Sequence, residues 1–355
     1  MFDCGRDVLA YHDDAVTLSQ SERTAMRDRR DANRDRLKKG LKDKKDPQPA
    51  EFCKQGSYAM KTMVQDPENK YDIDDGVYFD QEALKGPNGG NKSALEARNM
   101  VRDAVDDGSF NTPPEVRPNC VRVWYEAGYY VDLPVYRRVV EKDIWGNEKV
   151  HHEIAGADWK RSDARDVTDW FDKENQQQSP DDENGRQLRR ICRLLKKFVK
   201  SRSSWKGQIA GGFMITKLVT ECYKADAARE DKALFDTMNA MHDRLSLSLV
   251  VKHPVTPDDT ITNGDDDPRA RTLKEKLSDA ISWLKVLFDP GCTREQALAA
   301  WDKTYNTEFF SKRLDEEAVK KAAASAPGIV NAGILRDQSD SVPRAVDKQG
   351  SGTYA

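Results

Sequence analysis

The sequence predicts an α+β protein of two lobes: a mixed sheet with helices, followed by a helical C-terminal lobe. Three observations carry this. The chain has 355 residues, and at about 150 residues per domain that length suggests two lobes. Between ~51 and ~155 lie short runs rich in aromatic and β-branched residues, which suit strands. From ~163 onward, apolar residues recur at helical spacing. The expected divisions are 1–50, an N-terminal region with a long helix bridging the lobes; 51–160, the strand-bearing core; 161–336, the helical lobe; and 337–355, a flexible tail.

The elements follow in order. Residues ~18–45 read as one long polar helix. From Glu22 to Asp46 it carries 11 basic and 6 acidic residues, with Ala25, Met26, Leu37 and Leu41 as a narrow apolar stripe. The interspersed acids favour a solvated helix lying across two lobes over a nucleic-acid arm. Val77-Tyr78-Phe79 is a strand. Ser93 to Val105 is a helix with Leu95, Met100 and Val101 turned inward. Val121–Tyr125 and Tyr129–Tyr136 form a hairpin around Glu126-Ala127-Gly128, and Lys149–Ile154 is a further strand. Leu188, Ile191, Cys192, Leu195, Phe198 and Val199 mark one helix, and Leu273, Leu277, Ile281, Leu284 and Phe288 another. Thr293-Arg-Glu-Gln296 is a capping-box start for a third. Pro254 to Pro268, with five Asp and no Lys or Arg, is expected to be an exposed loop.

Composition excludes several classes. No apolar run approaches the ~18 residues of a membrane span, and the start lacks a basic stretch leading into an apolar core, so no signal peptide is expected. The six cysteines form no Cys-x-x-Cys pair, which argues against a local zinc knuckle and for buried, reduced thiols in a cytoplasmic protein. His151 and His152 are adjacent and on a strand would face opposite ways, a poor joint metal site.

Chemistry concentrates in three segments. In Tyr71-Asp-Ile-Asp-Asp-Gly-Val-Tyr-Phe79, Asp72 and Asp74 share one strand face while Ile73 points to the other. Two carboxylates side by side repel unless a cation lies between them, which suits Mg²⁺. Asp132 lies inside an apolar and aromatic strand, where an isolated charge is costly, and it becomes reasonable if it faces the same metal. Three such carboxylates could hold two Mg²⁺ ions for in-line phosphoryl displacement. Gly56-Ser57 supplies a phosphate cradle, because Gly lets the backbone approach closely and neighbouring N–H and hydroxyl groups donate. An EF-hand loop is excluded, since Gly76 stands at the fifth position counted from Asp72, not the sixth. Finally, Asn184 to Thr220 holds ten basic residues and no acid, with Arg189, Arg193, Lys196 and Lys200 along one side of a helix. This reads as a basic wall for triphosphates.

Gln55-Gly-Ser57, Asp72–Tyr78 and Val131-Asp-Leu-Pro-Val-Tyr136 resemble, in order, the core signatures of the bacterial cGAS/DncV-like nucleotidyltransferases, DncV-like branch, within the polymerase-β-type superfamily. Ser162-Asp163, Asp169-Trp170-Phe171 and Leu188–Arg193 with Lys196 are similar too, so the likeness runs from about Gln55 to Val219. The resemblance implies a bilobal polymerase-β-like nucleotidyltransferase core. It implies synthesis of a cyclic di- or trinucleotide second messenger from ATP or GTP, with two Mg²⁺ (or Mn²⁺) and pyrophosphate release. It places this chemistry in anti-phage (CBASS) signalling in the bacterial cytoplasm, with a product-activated effector and an E1/E2-like protein acting on the C-terminus as partners. Carried over by position, Asp72, Asp74 and Asp132 are the catalytic metal ligands. Gln55, Gly56, Ser57 and Lys196 contact nucleotide phosphate, and Tyr58 and Met60 stand where the nucleobase is met. Met60 replaces an aromatic residue of close relatives, and Gly211-Gly212-Phe213 replaces a hydroxyl-rich helix start, so product identity is not inherited. No zinc insertion suited to DNA sensing is present, and direct DNA binding is not expected. Two other readings remain: a template-independent transferase making linear oligonucleotides, and a nucleotide-sensing pseudoenzyme.

Overall fold

A computed structural model describes residues 1–66, 71–86, 88–126 and 128–325, with side chains to 319. The expected tail at 337–355 and Ala127 of the hairpin turn lie outside the described residues. Met1–Ser311 form one compact unit, and the chain from Lys312 onward is a second.

Helix α1 (Gly5–Tyr11) continues into a π-helical turn, His12–Val16. Helix α2 (Gln20–Lys44) follows, opened by a capping box in which Ser19 accepts from the Glu22 amide and Glu22 reaches back to the Ser19 amide. Strand β1 (Glu51–Gln55) leads into the one-turn helix α3 (Gly56–Ala59), then β2 (Asp72–Asp80) and helix α4 (Ala94–Val105). Strands β3 (Glu115–Val116), β4 (Val121–Trp124), β5 (Tyr130–Leu133), β6 (Val135–Lys142), β7 (Glu148–Ala155) and β8 (Trp159–Arg161) complete the sheet. Then come α5 (Ala164–Gln178), α6 (Gln187–Lys200), α7 (Gly212–Cys222), α8 (Glu230–Leu247), α9 (Pro268–Leu284), α10 (Arg294–Tyr305) and α11 (Phe309–Ser325). The class is α+β as expected: after α1 and α2 comes the mixed sheet, with α3 and α4 among its strands, and then the helices α5 to α11.

Strand β2 is the axis of the sheet. It pairs antiparallel with β1 on one side and parallel with β5 and then β6 on the other. The same residue offset holds before and after Pro134, so Tyr130–Arg138 runs beside Asp72–Asp80 as one line. Pro134 breaks it into two strands because proline has no N–H for the ladder, although its carbonyl still accepts from the Val77 amide at 2.8 Å. The expected single strand Tyr129–Tyr136 is thus corrected to two. Beyond the break the sheet forks, with β4 pairing β5 and β7 pairing β6.

One face of the sheet is covered by α2 and α4. Ile73, Val77 and Phe79 of β2 pack with Leu37, Leu41, Ala97, Val101 and Ala104 in a continuous core. The two helices cross at Gly40, where a Cβ would overlap the Ala104 carbonyl. Leu95, expected inward, is half-exposed, and Ala97 and Ala104 take the buried positions instead. Phe288, expected on the α9 stripe, lies in a 3-10 turn after that helix and is half-exposed. Asp267 of the expected exposed loop is fully buried, because it caps α9 by accepting from the Arg269 and Ala270 amides.

The first residues belong with the late helices. Asp7 forms a two-pronged pair with Arg294 (3.0 and 3.1 Å), Arg229 donates to the carbonyls of Met1 and Phe2, and the Cys4 amide donates to Asp231. Tyr11 packs against Tyr305 and Phe310 with ring centroids 4.7 and 4.9 Å apart. Helix α2 then carries the chain to the sheet. All six cysteines are free thiols, four of them buried. No helix among the described residues is long and apolar enough to cross a membrane.

Candidate active site

The site is built on the first four residues of β2. Period-2 alternation sends Ile73 into the core, paired with Val131, and leaves Asp72 and Asp74 on the opposite face. In register, Asp74 stands directly opposite Asp132 of β5, and Asp72 opposite Tyr130. Asp72 is exposed, Asp74 partly so, and Asp132 is buried. Burial, followed by the charges of Asp72 and Asp132, pushes the Asp74 carboxyl far above the usual carboxylate range, to about 7. Arg122 only partly offsets this.

Asp75 points the other way. It is fully buried and takes a two-pronged pair from Arg34 of α2, at 2.5 and 2.6 Å, with the guanidinium lying 5.1 Å from the Phe52 ring centroid. Neighbouring carboxylates on one strand therefore divide the work: Asp74 faces the open side, and Asp75 fastens the long helix behind it. Breaking such a buried pair typically costs about 3–5 kcal/mol.

Gly56 opens α3 with φ +60, and a Cβ there would overlap the Asp74 carboxylate. Only glycine allows this turn to touch the acid. Ser57 follows, half-buried, and its carbonyl accepts from the Thr62 amide at 2.9 Å. The Gln55 side chain is turned inward. Its Nε2 donates to the Tyr78 hydroxyl, and its Oε1 accepts from Tyr136 (3.1 and 3.2 Å). Tyr78 and Tyr136 stack at 4.5 Å, and Tyr78 donates to Asp163, which also caps α5 and pairs with His152 and Arg165. Of Gln55, only the backbone remains for a phosphate. Met60, expected as a base contact, is buried at 2% exposure. Tyr58 is half-buried, 5.9 Å below the Arg30 guanidinium.

The basic side of α6 is largely covered, with only Lys200 exposed. Arg189 donates to the Met60 carbonyl, Arg193 to the Lys61 carbonyl, Lys196 to the Thr62 hydroxyl and Lys197 to the Gln65 carbonyl; Lys200 pairs with Asp66. Five cations of one helix thus hold the segment that follows α3. Burial pushes the Lys196 ammonium down, and burial with the Arg189 charge pushes Arg193 down to about 10. His151 and His152 face different partners, Glu153 and Asp163.

Sequence reasoning missed Arg122. It stands opposite Asp132 across β4 and β5 and donates to both carboxylate oxygens at 2.7 Å. Its guanidinium lies 3.8 Å from the Tyr130 ring centroid. The signal was present: a hairpin turning between Tyr125 and Tyr129 sets residues 122 and 132 face to face. Among the described residues, no three His, Cys, Asp or Glu side chains stand ready-placed around a common ion position. The donors fit a hard cation all the same: they are oxygen-only and mutually repelling.

The site is a sheet with acids at the junction of its parallel strands and a glycine turn against them. Solved structures share the fold. The CD-NTase CdnG of Bradyrhizobium diazoefficiens, in complex with GTP, matches with TM-score 0.65 at 14% identity, over 88% of this chain and 98% of that one. CdnC of E. coli MS115-1 with ATP gives 0.62 at 14%, over 86% and 98%. DncV cyclic AMP-GMP synthase of Vibrio cholerae, with a linear intermediate, gives 0.62 at 16%, over 82% and 91%. Residues 50–136 match the family model for the cyclic GMP-AMP synthase DncV-like nucleotidyltransferase domain. Residues 50–136 are thus similar to a DncV-like nucleotidyltransferase domain, and the chain shares the fold of the solved CD-NTases.

Proposed function

We propose that this chain joins nucleoside triphosphates into a cyclic oligonucleotide with release of pyrophosphate. The observation that carries the reading is the convergence of Asp72, Asp74 and Asp132 beside the Gly56-Ser57 turn. Asp72 and Asp74 would hold Mg²⁺ with the donor phosphates, and Asp132 would serve the attacking ribose hydroxyl. Bound metal supplies Lewis-acid stabilisation of charge on the transferring phosphate. Gly56 and Ser57 offer backbone N–H and hydroxyl donors to that phosphate, and Tyr58 borders the place for a base. Lys196, which reaches this turn through Thr62, would be drawn to a triphosphate. The solved relatives that bind GTP or ATP support NTP substrates here. By the same analogy the product would be a second messenger in anti-phage signalling, acting on a separate effector. CdnC of E. coli MS115-1 forms a complex with HORMA-deltaN, which supports control by a protein partner over DNA gating.

The test is direct. The protein is incubated with each NTP and with mixtures in Mg²⁺ or Mn²⁺, treated with phosphatase and analysed by mass spectrometry. A phosphatase-resistant oligonucleotide, absent with Asp72→Ala/Asp74→Ala, is expected. Products that remain fully phosphatase-sensitive would mean a linear-product transferase, and no product in any mixture would favour the sensing module.

A further inference from the structure

The third carboxylate of the site is engaged already. Both oxygens of Asp132 accept from Arg122, Nε to Oδ1 and Nη2 to Oδ2, each at 2.7 Å. The fork is held in place from three sides. The strand register puts the two Cα atoms opposite each other, the Tyr130 ring lies under the guanidinium at 3.8 Å, and the Trp124 ring lies 5.2 Å away. Arg122 is largely covered and Asp132 more so, with side-chain exposures of 21% and 10%. A planar fork seated on a ring loses little freedom on pairing, so this contact is stronger than a surface ion pair. The fork occupies one lone pair on each Asp132 oxygen and sets a positive charge beside any divalent ion that approaches them, so guanidinium and ion oppose each other there.

We propose that Arg122 is a positioning residue that competes with the divalent ion for Asp132, holding the third carboxylate closed in the metal-free protein and releasing an oxygen as the ion arrives. The inference rests on the metal-site reading above. Asp72 and Asp74 have no such partner among the described residues, so they present the first attachment for an ion. Asp132 joins second, at the cost of a bond to Arg122. The displaced guanidinium stays on the Tyr130 ring, beside Asp72 in register, with donors newly free at the moment the site becomes loaded.

The measurement is the binding of Mn²⁺ alone to the nucleotide-free full chain, followed by calorimetry or by the electron paramagnetic resonance of free Mn²⁺. Arg122→Met should bind Mn²⁺ about tenfold more tightly than the parent, because the carboxylate cluster loses its competing cation. Arg122→Lys, which keeps the charge and loses the fork, should fall between the two and serves if the Met variant does not fold. Asp132→Asn should weaken binding, and Arg122→Met should tighten it less on Asp132→Asn than on the parent, because only its charge and no longer its bond to Asp132 is then removed. Equal or weaker Mn²⁺ binding in both Arg122 variants, with Asp132→Asn still weakened, overturns the competition and leaves the metal site standing. Unchanged binding in Asp132→Asn overturns the metal-site reading itself.

Discussion

Lys196 of α6 donates from its ammonium to the Thr62 hydroxyl at 2.7 Å, and both groups are buried. Thr62 in turn donates its amide to the Ser57 carbonyl, so the helical part of the protein reaches the Gly-Ser turn through two hydrogen bonds. Thr62→Val should cost about 1–3 kcal/mol in urea unfolding, because it leaves a buried ammonium without its acceptor. If Lys196 also meets a triphosphate, Lys196→Met should raise the KM for NTP well beyond the effect of Thr62→Val. Equal KM in the two variants would assign Lys196 to structure alone.

Asp74 makes the metal-free protein sensitive to pH. Its carboxyl titrates near about 7 when folded and near about 3.9 when unfolded. Across that window the folded chain holds a proton that the unfolded chain has lost, so stability falls as pH rises. Melting temperature in EDTA should therefore decline from pH 5 to pH 8, and Asp74→Asn should flatten the decline. Added Mg²⁺ should restore the parent at pH 8 and leave the Asn variant unmoved. Parallel slopes for the two proteins would refute this.

Asp74 and Asp75 adjoin in sequence and should fail in opposite ways. Asp74→Ala should abolish nucleotidyl transfer and keep or raise the stability of the metal-free protein. Asp75→Ala strands the partly buried Arg34 guanidinium and should cost about 3–5 kcal/mol. Thermal melts and turnover on the same preparations separate the two.

Gly56 tolerates no side chain. Alanine there would meet both the φ of +60 and the Asp74 carboxylate. A shift of the turn by about 1 Å is enough to lower turnover on the order of a hundredfold. Gly56→Ala should thus lose kcat while remaining folded by circular dichroism; full activity would show that the turn does not approach the reacting phosphate.

The shared face of Asp72 and Asp74 was legible because strand alternation needs only two residues and an apolar one between them. The α2 span and the Thr293 cap were legible from local chemistry. Strand β1 was not: Glu-Phe-Cys-Lys-Gln is mostly polar and is a strand only because β2 lies beside it. The basic side of α6 was legible as a side, but a periodicity says nothing of what covers it. Three of the five acceptors are backbone carbonyls, those of Met60, Lys61 and Gln65, which carry no residue-type signature. Leu95 misled because alanines at 97 and 104 are small enough to let α2 come close, and closeness outweighed size.

The anchoring of the first residues among the late helices has a consequence for birth on the ribosome. Asp7 and Arg294 are 287 positions apart. At about 5–20 residues per second, Asp7 waits on the order of 15–60 s for its partner to be made. Throughout that interval Tyr11 and the stretch around it have no aromatic nest to enter. The sheet, whose strands end by Arg161, can close during the wait. The opening segment is thus the last piece to lock, and a nascent chain stalled before α10 would display it to chaperones and proteases.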